Sequence, residues 1–116
     1  MRFGHIEIFA TDPLRSLEFY QEVLGFEVTT IQAGPSVWLS QGKLEILLRP
    51  GQPPLAAARY EQGAIGIVLY TENLEEQLEV LKERGLEFKG AVDSDKCYTF
   101  TDPDGNWSQL VDPNDH

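Results

Sequence analysis

The stretch GHIEIFATD (residues 4–12) has a counterpart later in the chain, GAIGIVLYTEN (residues 63–73), and this internal repeat decides the fold. Each copy has the apolar pattern of a strand and ends in an Asp or Asn residue that can begin a helix. The first copy carries a histidine, His5, and the second carries glycine and isoleucine in its place. The repeat predicts two similar structural modules, and the histidine raises the question of a metal ligand or a base.

A helix is predicted after each copy. Asp12 is a natural N-cap for the first helix, and Asn73 with Glu76 predicts a capping box at the start of the second. Gly25 and Gly85 can end these helices in a left-handed conformation. Apolar residues recur at helical spacing in both segments: Leu14, Leu17, Tyr20 and Leu24 in the first, and Leu74, Leu78 and Leu81 in the second.

Each half of the chain therefore reads strand-helix-strand-strand-strand, which is an α+β pattern. The predicted strands are residues 3–10, 26–32, 36–41 and 43–49, and residues 65–71, 86–90, 97–101 and 106–111. We predict a single domain with module 1 at residues 1–50, module 2 at residues 64–112 and a frayed tail at residues 113–116. The intervening residues 51–63 are rich in Pro, Gly and Ala and are predicted to be a linker, or alternatively a lid over a cavity.

Composition limits the possible partners and the compartment. The chain has 116 residues and a net charge of -10, so it would be repelled by nucleic acid and by anionic membranes. Its longest apolar run, AIGIVLY, is too short to span a bilayer. Folded-looking sequence begins within four residues of Met1, so no signal peptide is expected. The single cysteine, Cys97, is predicted to be buried and fits a reducing compartment, so we expect a cytoplasmic protein.

Strand alternation places several polar residues on one side of the sheet. His5, Glu7 and Phe9 alternate with Ile6 and Ile8. In the same way, Glu45 and Arg49 alternate with aliphatic residues, and Gln109 shares a side with Trp107. Two amphipathic helices can cover only the aliphatic side. The mixed polar and apolar side is therefore predicted to line a cavity for a small molecule.

These features resemble the vicinal oxygen chelate superfamily, which includes glyoxalase I, bleomycin-resistance proteins and extradiol dioxygenases. SLEFYQEVLGF (residues 16–26) is similar to the first helix of that family and its exit, and TFTDPDGNWSQL (residues 99–110) is similar to its closing hairpin. The resemblance implies two βαβββ modules that form a curved, mixed, cup-like sheet of eight strands, with the helices on the outer face. It also implies a homodimer.

Metal-dependent members of the family place ligands at four positions, and the resemblance carries these positions to His5, Glu45, Gly66 (or Ile65) and Gln109. Only His5 and Glu45 are strong donors in this set. One imidazole, one carboxylate and one neutral amide would hold a divalent ion weakly, because open catalytic sites keep three good protein ligands.

Our leading hypothesis is therefore a binding protein for a small, partly aromatic molecule, without a metal or other cofactor. The alternative is a metal-dependent lyase, isomerase or dioxygenase that uses His5, Glu45 and Gln109, and a third is a domain whose function is its dimer surface. The ligand-binding candidates combine polar and aromatic side chains: His5, Glu7, Trp38, Glu45, Arg49, Tyr70, Tyr98, Phe100, Trp107 and Gln109.

Overall fold

The fold is described from a computed structural model that covers residues 1–92 and 95–115. Within those residues the chain forms seven strands, two α-helices, a π-helical turn and a 3₁₀ turn. Their bounds in chain order are β1 Ile6–Ala10, α1 Pro13–Glu18, the π-helical turn Phe19–Val23, β2 Glu27–Gln32, β3 Ser36–Gln41, β4 Leu44–Pro50, the 3₁₀ turn Tyr60–Gln62, β5 Ile67–Tyr70, α2 Leu74–Glu83, β6 Tyr98–Thr101 and β7 Trp107–Val111. The predicted α+β class is confirmed.

The chain divides into two compact units, Met1–Pro54 and Leu55–His116. In the first unit the strand order is β1-β4-β3-β2, with β1 parallel to β4 and the other neighbours antiparallel. Helix α1 packs against β1, β3 and β4. Its N-cap is confirmed, because the Asp12 carboxylate accepts hydrogen bonds from the backbone of Leu14 and Arg15.

The core of the first unit lies on the aliphatic side of its sheet. Six side chains there are at most 7 % exposed: Ile8, Ala10, Val37, Leu39, Ile46 and Leu48. The helical stripe was predicted less well. Tyr20 is buried as predicted, but Leu14 is 45 % exposed and Ser16 is buried instead.

In residues 55–92 and 95–115 of the second unit, the sheet has three strands in the order β5-β7-β6. β5 is parallel to β7, and β6 is antiparallel to it. The strand predicted at residues 86–90 does not form as a regular strand. Only two backbone hydrogen bonds join this segment to β6, from Lys89 to Thr99 and from Thr99 to Gly90, so the ladder is too short.

Two further details of the second unit differ from the sequence-based expectation. The capping box is not formed: Asn73 Nδ2 donates to Glu76 Oε2 at 2.6 Å, and the Asn73 side chain makes no cap to the backbone. The end of the chain makes a turn in which the amide of Asn114 donates to Asp112 Oδ1 at 2.9 Å, whereas His116 lies outside the described residues.

One further expectation is confirmed. Cys97 is 2 % exposed, as predicted. Among the described residues no helix is both long enough and apolar enough to cross a membrane.

Candidate functional site

The first unit gathers four of the predicted site residues on one side of its sheet. Register pairs Glu7 with Leu47, and Leu47 with Trp38, so these three form one row across β1, β4 and β3. Arg49 lies two residues further along β4, and His5 lies two residues before Glu7. Because side chains alternate along strands, His5, Glu7, Trp38 and Arg49 share this side, which the sequence predicted for His5, Glu7 and Arg49. We call it the polar face of the first sheet.

A hydrogen-bonded chain joins His5, Glu7 and Arg49 on this face. His5 Nε2 lies 3.0 Å from Glu7 Oε2, and Arg49 Nη1 donates to Glu7 at 3.3 and 3.4 Å. An ionised carboxylate can only accept, so His5 carries a proton on Nε2. The hydrogen bond from His5 lowers the pKa of Glu7 below its usual value, and the positive charge of Arg49 acts in the same direction. The carboxylate is therefore ionised and held between two donors.

Trp38 packs against the imidazole of this network. The two ring centroids are 4.6 Å apart, and the planes meet at 65° in an edge-to-face contact. The side chains of His5, Glu7 and Arg49 are 32 %, 34 % and 49 % exposed, so the network can be reached from solvent. An exposed charged network beside a tryptophan can contact both an aromatic ring and a polar group of a ligand.

Glu45 also belongs to the polar face of the first sheet. It pairs with Ser40 on β3, and it lies one residue before Ile46, the partner of Ile6 on β1. Glu45 is therefore at the same level as His5 on the neighbouring strand. The hydrogen bond of His5 goes to Glu7 and not to Glu45.

Gln109 in the second unit is held by a residue that sequence reasoning did not select. Gln109 Nε2 donates to the hydroxyl of Tyr60 at 2.9 Å, and Gln109 is only 4 % exposed. Its other amide atom, Oε1, is buried without a hydrogen-bond partner among the described residues. An unsatisfied buried acceptor costs about 1–3 kcal/mol.

Gly66 explains how Tyr60 reaches Gln109. A Cβ atom built on Gly66 would collide with the hydroxyl, Cζ and Cε2 atoms of Tyr60, the last at 2.8 Å. The backbone of Gly66 does not have a positive φ, so glycine is needed here for space and not for backbone freedom. The phenol ring of Tyr60 therefore fills the space that a side chain at position 66 would occupy.

Tyr60 belongs to a segment, residues 55–63, that lies against the second sheet, and we call it the strap. The indole N–H of Trp107 donates to the carbonyl oxygen of Ala57 at 2.9 Å, and the rings of Trp107 and Tyr60 meet edge to face at 6.4 Å. Ala56 contacts Gly105 so closely that a Cβ there would collide with it. Of the two predicted roles for this segment, linker or lid, the packing in this unit favours a cover over Trp107 and Gln109.

All five residues of β7 are buried, and the strap covers Trp107 and Gln109 on one side of this strand. Trp107 is 5 % exposed, so this candidate is enclosed by its own chain. Tyr98 and Phe100 face the opposite side of the sheet from Gln109, because they pair with Leu110 and Ser108. Both rings pack against Phe88, and Phe100 is 1 % exposed.

Tyr70 pairs with Val111 and so lies on the Gln109 side of the second sheet, where it is 64 % exposed. The structure thus brings His5, Glu7, Trp38 and Arg49 together in one unit, with Glu45 beside them. Trp107 and Gln109 lie together in the other. Convergence of His5, Glu45 and Gln109 in one hollow stays a prediction.

The donor set does not fit a divalent metal ion of the kind that the family resemblance implies. Position 66 provides no side chain, and Tyr60 fills its space. Gln109 provides a neutral amide whose nitrogen is bonded to Tyr60, and His5 Nε2 is bonded to Glu7. Across residues 1–92 and 95–115, no group of three or more His, Cys, Asp or Glu side chains is placed to hold a metal ion. Divalent ions need several charged or strongly donating ligands at once.

The two units share a pattern in which a parallel pair of strands is extended by antiparallel ones, which defines a mixed α+β protein built from repeats. Residues 2–110 match the family model of the Glyoxalase/Bleomycin resistance protein/Dioxygenase superfamily, and the chain belongs to this family. The predicted family is therefore confirmed. No curated protein sequence matches the chain.

Solved structures with the same fold cover nearly the whole chain. UcmS2 is 28% identical, with 97% of this chain and 98% of UcmS2 covered and a TM-score of 0.74. Lactoylglutathione lyase from Agrobacterium tumefaciens is 18% identical, with 97% and 93% covered and a TM-score of 0.72. The fosfomycin resistance protein FosX from Mesorhizobium loti is 13% identical, with 95% and 90% covered and a TM-score of 0.71. The last two similarities concern the fold alone.

Proposed function

We propose that the protein binds a small, partly aromatic organic molecule on the polar face of the first sheet, without a divalent metal ion. The observation that carries this proposal is the exposed network of His5, Glu7 and Arg49 beside Trp38. Small-molecule sites combine apolar and aromatic surface with a few placed polar groups, and this face has both.

The chemistry of the face favours a ligand with a ring and a polar or cationic group. Trp38 provides a ring edge and face for stacking, or for contact with a cation. Glu7 and Arg49 provide one acceptor and one set of donors within 3.4 Å of each other. The net charge of -10 favours the approach of a cation over that of an anion.

The metal-free part of the proposal is supported by the donor set. Tyr60 engages two of the four family positions. Its hydroxyl accepts a hydrogen bond from the Gln109 amide, and its ring fills the space beside Gly66. A third, His5, is directed to Glu7. The residues at these positions therefore do not form the ligand set that a divalent metal ion needs.

Tryptophan fluorescence tests the proposal, because each unit contains one tryptophan. Trp107→Phe leaves Trp38 as the only tryptophan. Titration with aromatic amines, amides and acids should give a saturable change in Trp38 emission, strongest for the amines. Glu7→Gln and Arg49→Met should weaken it, whereas Glu18→Gln, an exposed glutamate on α1, should not.

The opposite outcome is equally clear. If none of these compounds changes Trp38 emission, or if Trp38→Phe leaves calorimetric binding unchanged, the polar face is not the binding site.

We also propose a homodimer in the cytoplasm. Sedimentation of the purified protein tests the dimer, because a monomer at all concentrations contradicts it.

A further inference from the structure

The second unit holds a polar group whose hydrogen bonds are half made. Gln109 is 4 % exposed, and its Nε2 donates to Tyr60 while its Oε1 has no partner among the described residues. Buried acceptors of this kind are rare in folded proteins and call for an explanation. Exchanging the nitrogen and oxygen positions of the Gln109 amide does not solve this. The Tyr60 hydroxyl would then donate to Oε1, and Nε2 would be left without a partner.

The cover over this amide is built from weak, separable contacts. Two 2.9 Å hydrogen bonds join the strap to the second sheet, through the Tyr60 hydroxyl and the carbonyl oxygen of Ala57. Its other contacts there are the Tyr60 ring against Trp107 and Ala56 against Gly105. The strap carries no strand and only one short 3₁₀ turn, and Leu55 at its start is 99% exposed. A segment with so few hydrogen bonds to the sheet can open locally.

We propose that Gln109 is a recognition group for an uncharged carboxamide, lactam or urea group of a ligand, which replaces the Tyr60 hydroxyl when the strap opens. The carbonyl oxygen of such a group accepts from Gln109 Nε2, and its N–H donates to Oε1. This pairing satisfies both ends of the amide, which Tyr60 alone does not. The inference concerns the second unit only and goes beyond the ligand site proposed on the first sheet.

The pairing predicts selectivity by donor pattern. A carboxylate offers two acceptors and leaves Oε1 facing another oxygen, and an amidinium offers two donors and leaves Nε2 facing another N–H. A neutral amide is complementary at both positions. Benzamide, benzoate and benzamidine share a ring and a planar head, so they isolate this difference.

The test uses Trp38→Phe protein, in which Trp107 beneath the strap is the only tryptophan. Benzamide should change Trp107 emission saturably, with an affinity about tenfold or more above that of benzoate or benzamidine. Equal affinities, or no saturable response to benzamide up to its solubility limit, would overturn the proposal.

Two substitutions link the signal to the proposed atoms. In Gln109→Glu protein the side chain keeps its shape, but both of its oxygens accept hydrogen bonds. This protein should therefore bind benzamidine more tightly than benzamide. Tyr60→Phe keeps the ring and removes the competing hydroxyl, so benzamide affinity should rise by about two- to tenfold. Unchanged preference in Gln109→Glu protein, or unchanged affinity in Tyr60→Phe protein, contradicts the pairing.

Strap opening has an independent readout. Arg59 lies in the strap and is exposed, so trypsin cleavage after Arg59 reports local opening. Tyr60→Phe should accelerate this cleavage, and Arg84→Lys serves as a control that leaves the strap intact. No acceleration would show that the Tyr60 hydroxyl does not hold the strap.

Since the ligand site on the first sheet is read through Trp38 and this one through Trp107, either proposal can fail alone.

Discussion

The contact between Gly66 and Tyr60 can be tested by adding a single methyl group. In Gly66→Ala, the new Cβ would collide with the hydroxyl end of Tyr60 and with Cε2 at 2.8 Å. The ring of Tyr60 lies against the sheet, so it must move away. Its hydrogen bond to Gln109 is then lost, and a second polar atom of Gln109 becomes unsatisfied. We expect a loss of about 1–3 kcal/mol in the free energy of unfolding.

Urea unfolding monitored by fluorescence measures this change, and thermal melting should show a fall of several degrees. Gly63→Ala is the matched control. The Cβ built on Gly63 has only ordinary contacts, the nearest at 3.5 Å to the Tyr60 carbonyl oxygen, and its φ is -77°. Alanine there should be neutral or stabilising by up to about 1 kcal/mol, because it restricts the unfolded chain.

A double-mutant cycle completes the test. In Tyr60→Ala protein the space beside Gly66 is open, so Gly66→Ala should cost little there. If Gly66→Ala has no effect in the wild-type protein, or costs the same with and without Tyr60, then Gly66 does not make room for the phenol ring and our reading of this position is wrong.

Two further predictions concern carboxylates. Since His5 and Arg49 lower the pKa of Glu7 below its usual 4.5, ionised Glu7 stabilises the fold above that pH, and this contribution is lost as the pH falls through the lowered value. The stability difference between wild type and Glu7→Gln should therefore shrink as the pH falls below 4.5, as measured by urea unfolding at each pH; a constant difference contradicts it. Asp102 is 6% exposed and accepts from Asn106 through both oxygens at 2.9 Å, so Asp102→Ala should cost about 2 kcal/mol by urea unfolding, and an unchanged midpoint would contradict the assigned role of this turn.

The polar face of the first sheet could be predicted because it depends on local periodicity. Alternation places His5 and Glu7 opposite Ile8, and Ile46 and Leu48 of β4 are buried on the Ile8 side, although Leu47 is buried on the polar face. The only further requirement is that β1 and β4 be neighbours, which the repeat and its family resemblance supplied. The partner of His5 was expected to be Glu45 or Gln109, whereas the structure shows Glu7, two residues along the same strand.

The role of Tyr60 could not be predicted by the same means. The strap has no periodicity, and its contacts to Trp107 and Gln109 lie about fifty residues away in sequence. The family resemblance interprets Gly66 as a lost ligand position. The signal that could have found Tyr60 is a glycine just before an apolar strand, together with a tyrosine in the preceding segment.

Local signals also failed where neighbouring structure overrode them. The Asn73–Glu76 pair fits a capping box, yet the side chains bond to each other. The stripe of the first helix assumed one regular helix, whereas the segment is a short α-helix followed by a π-helical turn at Phe19–Val23, and Leu14 is 45 % exposed.

Our central proposal is that three of the four family ligand positions are engaged by partners within the chain, so that the protein works without a divalent ion. Thermal melting of chelator-treated protein, with and without nickel, zinc or manganese, tests this most directly. A metal at a hundred times its dissociation constant adds about 2.7 kcal/mol, which shifts the melting temperature by many degrees. We predict no saturable shift with any of the three ions. A saturable shift that disappears in both His5→Ala and Gln109→Ala proteins would contradict the account.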